Sequence, residues 1–516
     1  MNTVSKRKAR LSALTAAAVL FTLIASSFAM TLGASASWDG VSAAVGFSGG
    51  DGSENNPFLI SSENELAKLA KDVNEGESYA GKFFAMKGSL DLGGKAWTPI
   101  GNASDKPFSG NFDGGEAEIT GLVVNGGGYG GLFGITKDAT ISNLTITGAK
   151  VTSNKFCGVL IAQQTCTEDK TTMSGIYNCH VESCEVIGTS AGGLVGRASK
   201  SGAGMQMTIA GCSVSNTTVG VPDDSLTEIT EKNSFMGGVL GVGGCTTLDG
   251  CSATGVTVTA GGARATAYGL AGGIVGCQGA DNQALHIRNC YAYDVKLTVK
   301  ETSTSANPYA GGLIAKAGHT DTGCEIVNCF AAKITMENKI ADANVGTLIG
   351  QLKNFVNYFN CYSDGETAVG VDAILIDPPV VKVSAADLAA GDAVETMKLN
   401  EGNSAAVWKN SPADGHPVID FAAVKGNTVN VTFYDPFAEV TTEEVTTAGG
   451  EVSSDNEVTT DAPDDGTTAA PEVSSDAPEV TTAAPKTEEG GCSSSLSVAA
   501  LSVIAALSLC FVRRRD

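Results

Sequence analysis

Aromatic side chains are scarce in this chain, at 6% of its 516 residues, and charged ones reach only 17%. A helical enzyme of this length uses more Leu, Glu and Lys. Bases are outnumbered by acids, 33 to 56, which leaves a formal charge of −23. A nucleic-acid binder needs a basic face to displace counterions, so that class is excluded. No two cysteines form a C-x-x-C pair, and a zinc site has no support. The four histidines, His180, His286, His319 and His416, are isolated in sequence, and surface or turn positions are expected for them. No cofactor or metal is implied.

Glycine, by contrast, is abundant at 64 residues. Together with Thr, Val, Ser and Asn it predicts many short strands joined by tight turns, an all-β chain. The two ends carry addresses. Lys6, Arg7, Lys8 and Arg10 precede an apolar stretch, and Ala34-Ser35-Ala36 fits a signal-peptidase site, with cleavage after Ala36. An uncleaved anchor helix is the alternative. Near the other end, 493–512 holds no charge and is followed by Arg513, Arg514 and Arg515. Twenty residues at ~1.5 Å each span one hydrocarbon thickness. Arginines stay cytoplasmic, so the preceding chain is expected outside, held at the plasma membrane by a C-terminal transmembrane helix.

Gly490-Gly491-Cys492 before this span resembles the C-terminal sorting tails of some bacterial surface proteins, although no L-P-x-T-G motif is present. That resemblance implies a tail that is cut or modified at Cys492; a plain single-pass anchor is the other reading. Residues 439–491 contain 14 acids and one base, Lys486. Such a segment cannot bury enough surface to fold, and it predicts an extended acidic stalk.

Self-comparison shows two alternating motifs. The first is Gly130-Gly131-Leu132-Phe133-Gly134, then degenerately Cys157-Gly158-Val159-Leu160-Ile161. It recurs from Gly192, Gly237, Gly272, Gly311 and Gly346, at steps averaging about 36 residues. The second motif is apolar, any, Asn or Gly, then Leu or Cys. Its third position is Asn143, Asn178, Gly211, Gly250, Asn289, Asn328 and Asn360. These residue types tolerate a left-handed backbone at least cost, so a bend is expected once per repeat. Its fourth position is Leu144, then Cys179, Cys212, Cys251, Cys290, Cys329 and Cys361.

Each repeat offers two or three strands and cannot bury its apolar face alone. Stacked coils can, which predicts a parallel β-helix of about seven coils with an amide ladder along the bend. A β-propeller would need four antiparallel strands per blade. Caps are expected at both ends. Ser62 with Glu65 forms a capping box ahead of the apolar face Leu66, Leu69, Ala70 and Val73. A helical run from Ser384, then Trp408 and Pro417-Val418-Ile419, marks the other cap. The chain thus divides into a signal (1–36), an N-terminal cap with first strands (37–125), β-helix repeats (126–366), a C-terminal cap (367–438), the stalk (439–491) and the anchor (492–516).

The phrases Asn56-Pro57-Phe58-Leu59-Ile60, Trp97-Thr98-Pro99-Ile100-Gly101, Phe108-Ser109-Gly110-Asn111-Phe112-Asp113-Gly114 and Gly131-Leu132-Phe133-Gly134 resemble the GLUG-motif surface proteins of bacteria. The resemblance covers about residues 50–420 and implies a β-helical, adhesin-like protein. The same repeat accompanies some secreted immunoglobulin-A peptidases, but no H-E-x-x-H zinc motif exists here.

Fourteen cysteines in an exported chain suggest disulfides. Six of them, however, share a Leu-equivalent position, where free Cys packs as a small hydrophobe. A buried thiol ladder is expected. Cys157, Cys166, Cys184, Cys245, Cys277 and Cys324 are the better bridge candidates. Asp51-Gly52 and Asp113-Gly114 read as turns, with a calcium role as the alternative, and Asp223-Asp224 as a solvated turn. Lys296 and Lys300 form a candidate basic patch. The sum points to a surface-displayed binding protein that is not an enzyme, contacting a glycan or an extracellular protein. The competing expectation is a polysaccharide lyase or hydrolase, whose residues would come from neighbouring coils. No Asn-Thr-Asp, His-Gly or Arg-Ile-Lys phrase resembling the pectin hydrolases occurs.

Overall fold

The computed structural model describes residues 37–421 apart from 168–173, 201–206, 222–232, 262–267, 280–283, 301–306, 319–322, 339–344, 354–355, 366–368, 372–380, 391–396 and 398–407. The expected signal, stalk and apolar span lie outside the described residues, as do Ala36, Asp223, Asp224, His319 and Cys492. Among the described residues, no helix is long and apolar enough to cross a membrane.

One coil runs through five short strands: Met207–Ala210, Ser213–Ser215, Thr218–Gly220, Asn233–Gly237 and Leu240–Gly243. Each pairs in parallel with its counterpart one coil on: Met207 with Thr246, Ser213 with Ser252, Thr218 with Thr257, Asn233 with Tyr268 and Leu240 with Val275. Sheet one, with 17 strands, holds the first two segments of each coil; sheets two, three and four hold the others, 7, 7 and 8 strands deep. The protein is therefore a parallel β-helix. Five strands per coil, rather than two or three, arise because segments of three or four residues are too short to display alternation.

The stack begins ahead of residue 80, since Phe58–Ile60 pairs with Phe83–Met86 and that strand with Asn111–Thr120. It also runs past 366, with Val369–Val371 on Ile349–Leu352 and Val381–Lys382 on Tyr362–Ser363. The helix Glu63–Glu75 starts where the Ser62 hydroxyl accepts the Glu65 N–H and ends at left-handed Gly76. Leu66, Leu69, Ala70 and Val73 join the main core. The Glu65 carboxylate accepts from the Ser61 N–H and the Ser48 hydroxyl, so it ties the cap to the preceding loop.

All seven bend residues have positive φ, from 49° at Asn178 to 63° at Gly250. Asn178 Nδ2 donates to Asn143 Oδ1 at 2.9 Å, Asn328 Nδ2 to Asn289 Oδ1 at 2.5 Å and Asn360 Nδ2 to Asn328 Oδ1 at 2.6 Å. Gly211 and Gly250 offer no amide, and neighbours fill in. His180 Nε2 sits 3.1 Å from Asn178 Oδ1, and Asn289 Nδ2 donates to Asp249 Oδ1 at 2.9 Å. A second left-handed series lies five residues later at Gly148, Ser183, Asn216, Gly255, Asp294 and Lys333, and turns the chain into sheet two.

The ladder cysteines do more than fill space. Turning the backbone left-handed aims peptide groups away from the regular ladder, and buried peptide groups need partners. Cys290 Sγ lies 3.0 Å from the Arg288 carbonyl and 3.7 Å from that of Leu248, and it accepts the Cys251 N–H at 3.4 Å. Cys329 does the same for Cys290, accepting its N–H at 3.3 Å. Cys184 follows the second bend with the same geometry, accepting the Ala149 N–H at 3.2 Å. Burial pushes Cys179 up to about 12 and Cys184 to about 11, and raises Cys212, Cys290 and Cys361 as well. Of the bridge candidates, Cys157, Cys166, Cys184, Cys245 and Cys324 are buried thiols, while Cys277 is disulfide-bonded. Native chain exposed to N-ethylmaleimide is expected to leave Cys179, Cys212, Cys251, Cys290, Cys329 and Cys361 unmodified for hours, whereas unfolded chain reacts within minutes. Peptide mapping that finds these six cross-linked would overturn the ladder.

The Gly-Gly blocks sit where sheet three turns into sheet four. A Cβ on Gly192, Gly237, Gly272, Gly311 or Gly346 would lie 1.8–2.0 Å from the carbonyl oxygen three residues on. A Cβ on Gly193, Gly238, Gly273 or Gly312 would lie 1.9–2.2 Å from a backbone carbonyl of the next coil. Close approach, not positive φ, selects glycine here. In the degenerate block Gly158 pairs with Gly192, one residue earlier than sequence alignment against Gly193 suggests.

The C-terminal segment lies along a side of the solenoid. Trp408–Ser411 and His416–Ile419 form an antiparallel hairpin. It covers Tyr291, Tyr293, Phe330 and Tyr362, which point outward from sheet one, together with Leu388 of the short helix Ala385–Ala390. Trp408 Nε1 donates to Asn289 Oδ1 at 3.4 Å, and the Met397 carbonyl accepts from Asn328 Nδ2 at 2.9 Å, so this segment caps the amide ladder laterally.

Candidate functional site

Outward side chains, rather than the filled interior, are where a β-helix meets other molecules. On sheet one, successive coils place Asp249 beside Arg288, and Thr247, His286 and Glu325 in one row. Glu325 Oε2 lies 2.7 Å from His286 Nδ1 and accepts from Arg288 Nη2 at 2.5 Å. Burial pulls the Glu325 carboxyl upward, but the hydrogen bonds from His286 and Arg288 prevail and hold it at about 2. Both carboxylates of this cluster are committed, Glu325 to His286 and Arg288, and Asp249 to Asn289. His286 and His416 are buried rather than on the surface. His286 is drawn in by Glu325, and His416 lies under the hairpin with its ring 3.7 Å from that of Tyr293.

His180 presents Nδ1 to Ser213 Oγ at 2.8 Å, with Asn178 on its other nitrogen. The Asn178 oxygen, an acceptor only, takes the Nε2–H, and Nδ1 shares a hydrogen bond with the serine hydroxyl. The imidazole therefore carries the amide chain onward past Gly211, and its ring packs 5.1 Å from Phe421.

The second outward cluster lies at the corner between sheets three and four. Sheet three contributes a register row of Tyr129, Phe156, Ser190, Phe235, Leu270 and Tyr309. Sheet four contributes Arg197, Val242, Cys277, Lys316 and Gln351. The two rows face each other. Phe235, Leu270 and Tyr309 pack with Val242, Cys277 and Ala315 in an apolar cluster separate from the main core. Arg197 stands over Phe156 at 5.2 Å, Lys316 over Tyr268 at 4.4 Å, and Gln351 Nε2 donates to the Tyr309 hydroxyl at 3.0 Å. Lys155 adds a cation over Tyr129 and Phe156, each at 5.3 Å. The Gly-Gly turn lets the backbone fold tightly enough for both outer faces to meet, and Phe235, Val242, Leu270, Tyr309, Lys316 and Gln351 are buried where they do.

Other candidates resolve into structural roles. Asp113 accepts from Asn143 Nδ2 and its own Gly115 N–H within a bulged strand. Asp51 is a turn residue held near 2 by hydrogen bonds from Ser53 and Asn56. Among the described residues, no group of three or more His, Cys, Asp or Glu is placed to hold a metal ion. In the patch expected with Lys300, Lys296 pairs with Glu337 at 2.8 Å.

No family model matches the chain. A protein of Evansella cellulosilytica, provisionally named a Gly-rich membrane protein, is 34% identical over 110 residues, 20% of this chain and 13% of that one. Halomucin of Haloquadratum walsbyi is 29% identical over 141 residues, 25% of this chain and 2% of its own length. The chain thus spans a small fraction of these curated relatives. Among solved structures, a Bacteroides ovatus protein provisionally named an immunoglobulin A1 protease aligns with a TM-score of 0.46 and 20% identity, covering 73% of this chain and 95% of that one. An IgA1 protease aligns with a TM-score of 0.40 and 16% identity, covering 66% of this chain and 25% of that one. No functional conclusion rests on similarities of this size.

Proposed function

We propose that this chain is a bacterial surface-displayed, membrane-anchored, adhesin-like rod that binds a glycan or an extracellular protein and carries out no reaction of its own. The observation that carries the reading is the corner between sheets three and four, where aromatic rings, cations and an amide recur along the solenoid. Aromatic faces beside fixed polar groups suit ligand binding. The export signal, acidic stalk and apolar span read from sequence supply display. The GLUG-like phrases and the name of the Evansella relative agree with a surface or membrane location. Deleting 37–438 while keeping the stalk and anchor is expected to abolish cell adhesion by tenfold or more and to leave membrane localisation unchanged.

The alternative is a polysaccharide-active enzyme. One observation favours it, the Asp249, His286, Arg288 and Glu325 cluster spread over three adjacent coils. Full-length chain that releases reducing ends or unsaturated products from polysaccharides, and loses this with Glu325→Gln, would replace the binding reading.

A further inference from the structure

Lys316 is 95% buried, with a relative exposure of 5%, and its Nζ stands 4.4 Å from the centre of the Tyr268 ring. Among the described residues, no carboxylate pairs with it. The charged neighbour it does feel is Lys353, which repels it. Acids outnumber bases in this chain by 56 to 33, so a counterion is not lacking for want of supply. Burying an ammonium without an anion is costly and persists where something else uses the charge.

We propose, building on the binding reading above, that the corner around Lys316 is a subsite for a carboxylate-bearing sugar. The Tyr268 ring is half-buried and offers a face to a pyranose, as aromatic rings do in ligand sites. The Lys316 ammonium takes the sugar carboxylate. Gln351 and the Tyr309 hydroxyl, already joined at 3.0 Å, supply neutral hydrogen bonds one coil away. Arg197 lies three register steps from Lys316 in the same row, through Val242 and Cys277. At the usual strand spacing this is ~14 Å along the solenoid. In the other candidate patch Lys296 is partly exposed and paired with Glu337, so its ammonium carries no burial cost that a ligand would relieve.

The test uses full-length chain in detergent with trigalacturonate and 3′-sialyllactose, each beside its methyl ester, and with hexaglutamate. At least one acidic sugar is expected to bind ten times more tightly than its ester. Lys316→Met should cost tenfold or more for the acid and leave the ester unchanged, Lys316→Arg should retain most of the affinity, and Tyr268→Ala should weaken both forms. Melting curves keep loss of fold apart from loss of contact. Equal affinity for acid and ester, unchanged binding by Lys316→Met, or hexaglutamate binding as tightly as the sugars overturns the subsite. If no sugar binds while the cells still adhere, the subsite fails and the binding reading stands; if adhesion is absent as well, both fail.

Discussion

Chain carrying Gly273→Ala is expected to lose its solenoid fold at temperatures where the unsubstituted chain keeps it. The added Cβ would lie 1.9 Å from the Gly312 carbonyl oxygen and 3.0 Å from Ala292 Cβ. Neither neighbour can yield. The Gly273 N–H donates to the Gly311 carbonyl at 3.0 Å and the Ile274 N–H to that of Leu313 at 2.9 Å, so the distance between the coils is fixed on both sides of the clash. Relief requires breaking ladder hydrogen bonds in sheets three and four together. Overpacking of a core costs about 1–3 kcal/mol, and a clash of backbone with backbone lies at or above the upper end, about 4 kcal/mol. Gly128→Ala is the control. Its Cβ would meet nothing within 4 Å and its φ lies outside the left-handed range, so it should be neutral or stabilise by up to about 1 kcal/mol. Denaturant midpoints followed by far-ultraviolet circular dichroism decide the matter. Equal midpoints for the two variants would show that the corner tolerates a side chain.

The same glycines show what the sequence discloses and what it conceals. Their recurrence announces stacked repeats, because a fixed period near 36 residues is the signature of units that bury their apolar faces against one another. Their physical reason, close approach of neighbouring backbones, emerges only once the coils are stacked. The bend at Asn143, Asn178, Asn289, Asn328 and Asn360 is legible because Asn and Gly are the residue types that accept positive φ. The bend five residues later is hidden, since Ser183, Asp294 and Lys333 advertise nothing. Its fixed offset would have exposed it only once the first bend was accepted as a register mark.

The corner site has a comparable signature. Phe156, Phe235, Leu270 and Tyr309 each stand two residues before the first glycine of the turn, and Arg197, Cys277, Lys316 and Gln351 each stand five after it. Read along the chain these are unrelated residues about 36 apart; read down a register they form two facing rows. The pairing of Glu325 with His286 and Arg288 was likewise invisible, because each partner comes from a neighbouring coil. Parallel stacking converts distances of 37 and 39 residues into hydrogen bonds, so motif spacing along the sequence has little power to locate sites in this fold.

Lys316→Met is expected to make the protein more stable at pH 7, by about 2 kcal/mol, and the gain should vanish in alkali. Burial, reinforced by Lys353, lowers the Lys316 ammonium from 10.5 to about 8. The unfolded chain therefore holds this proton more tightly than the folded one. Below pH 8 both forms are charged, and the folded state bears the full cost of the buried ammonium. Between pH 8 and 10.5 the folded side chain is neutral while the unfolded one is still charged, so stability rises with pH. Above that window the penalty is gone. A shift of this size corresponds to about 3 kcal/mol, from which the lost cation–π contact with Tyr268 subtracts about 1 kcal/mol. Unfolding midpoints of the two chains, measured from pH 6 to 11, should converge through this window, and parallel curves would refute the assignment. Saturating acidic sugar should flatten the curve of the unsubstituted chain alone, because a bound carboxylate returns the ammonium toward its ordinary value. Tolerating an unpaired charge at a loss of stability is the mark of a position kept for binding.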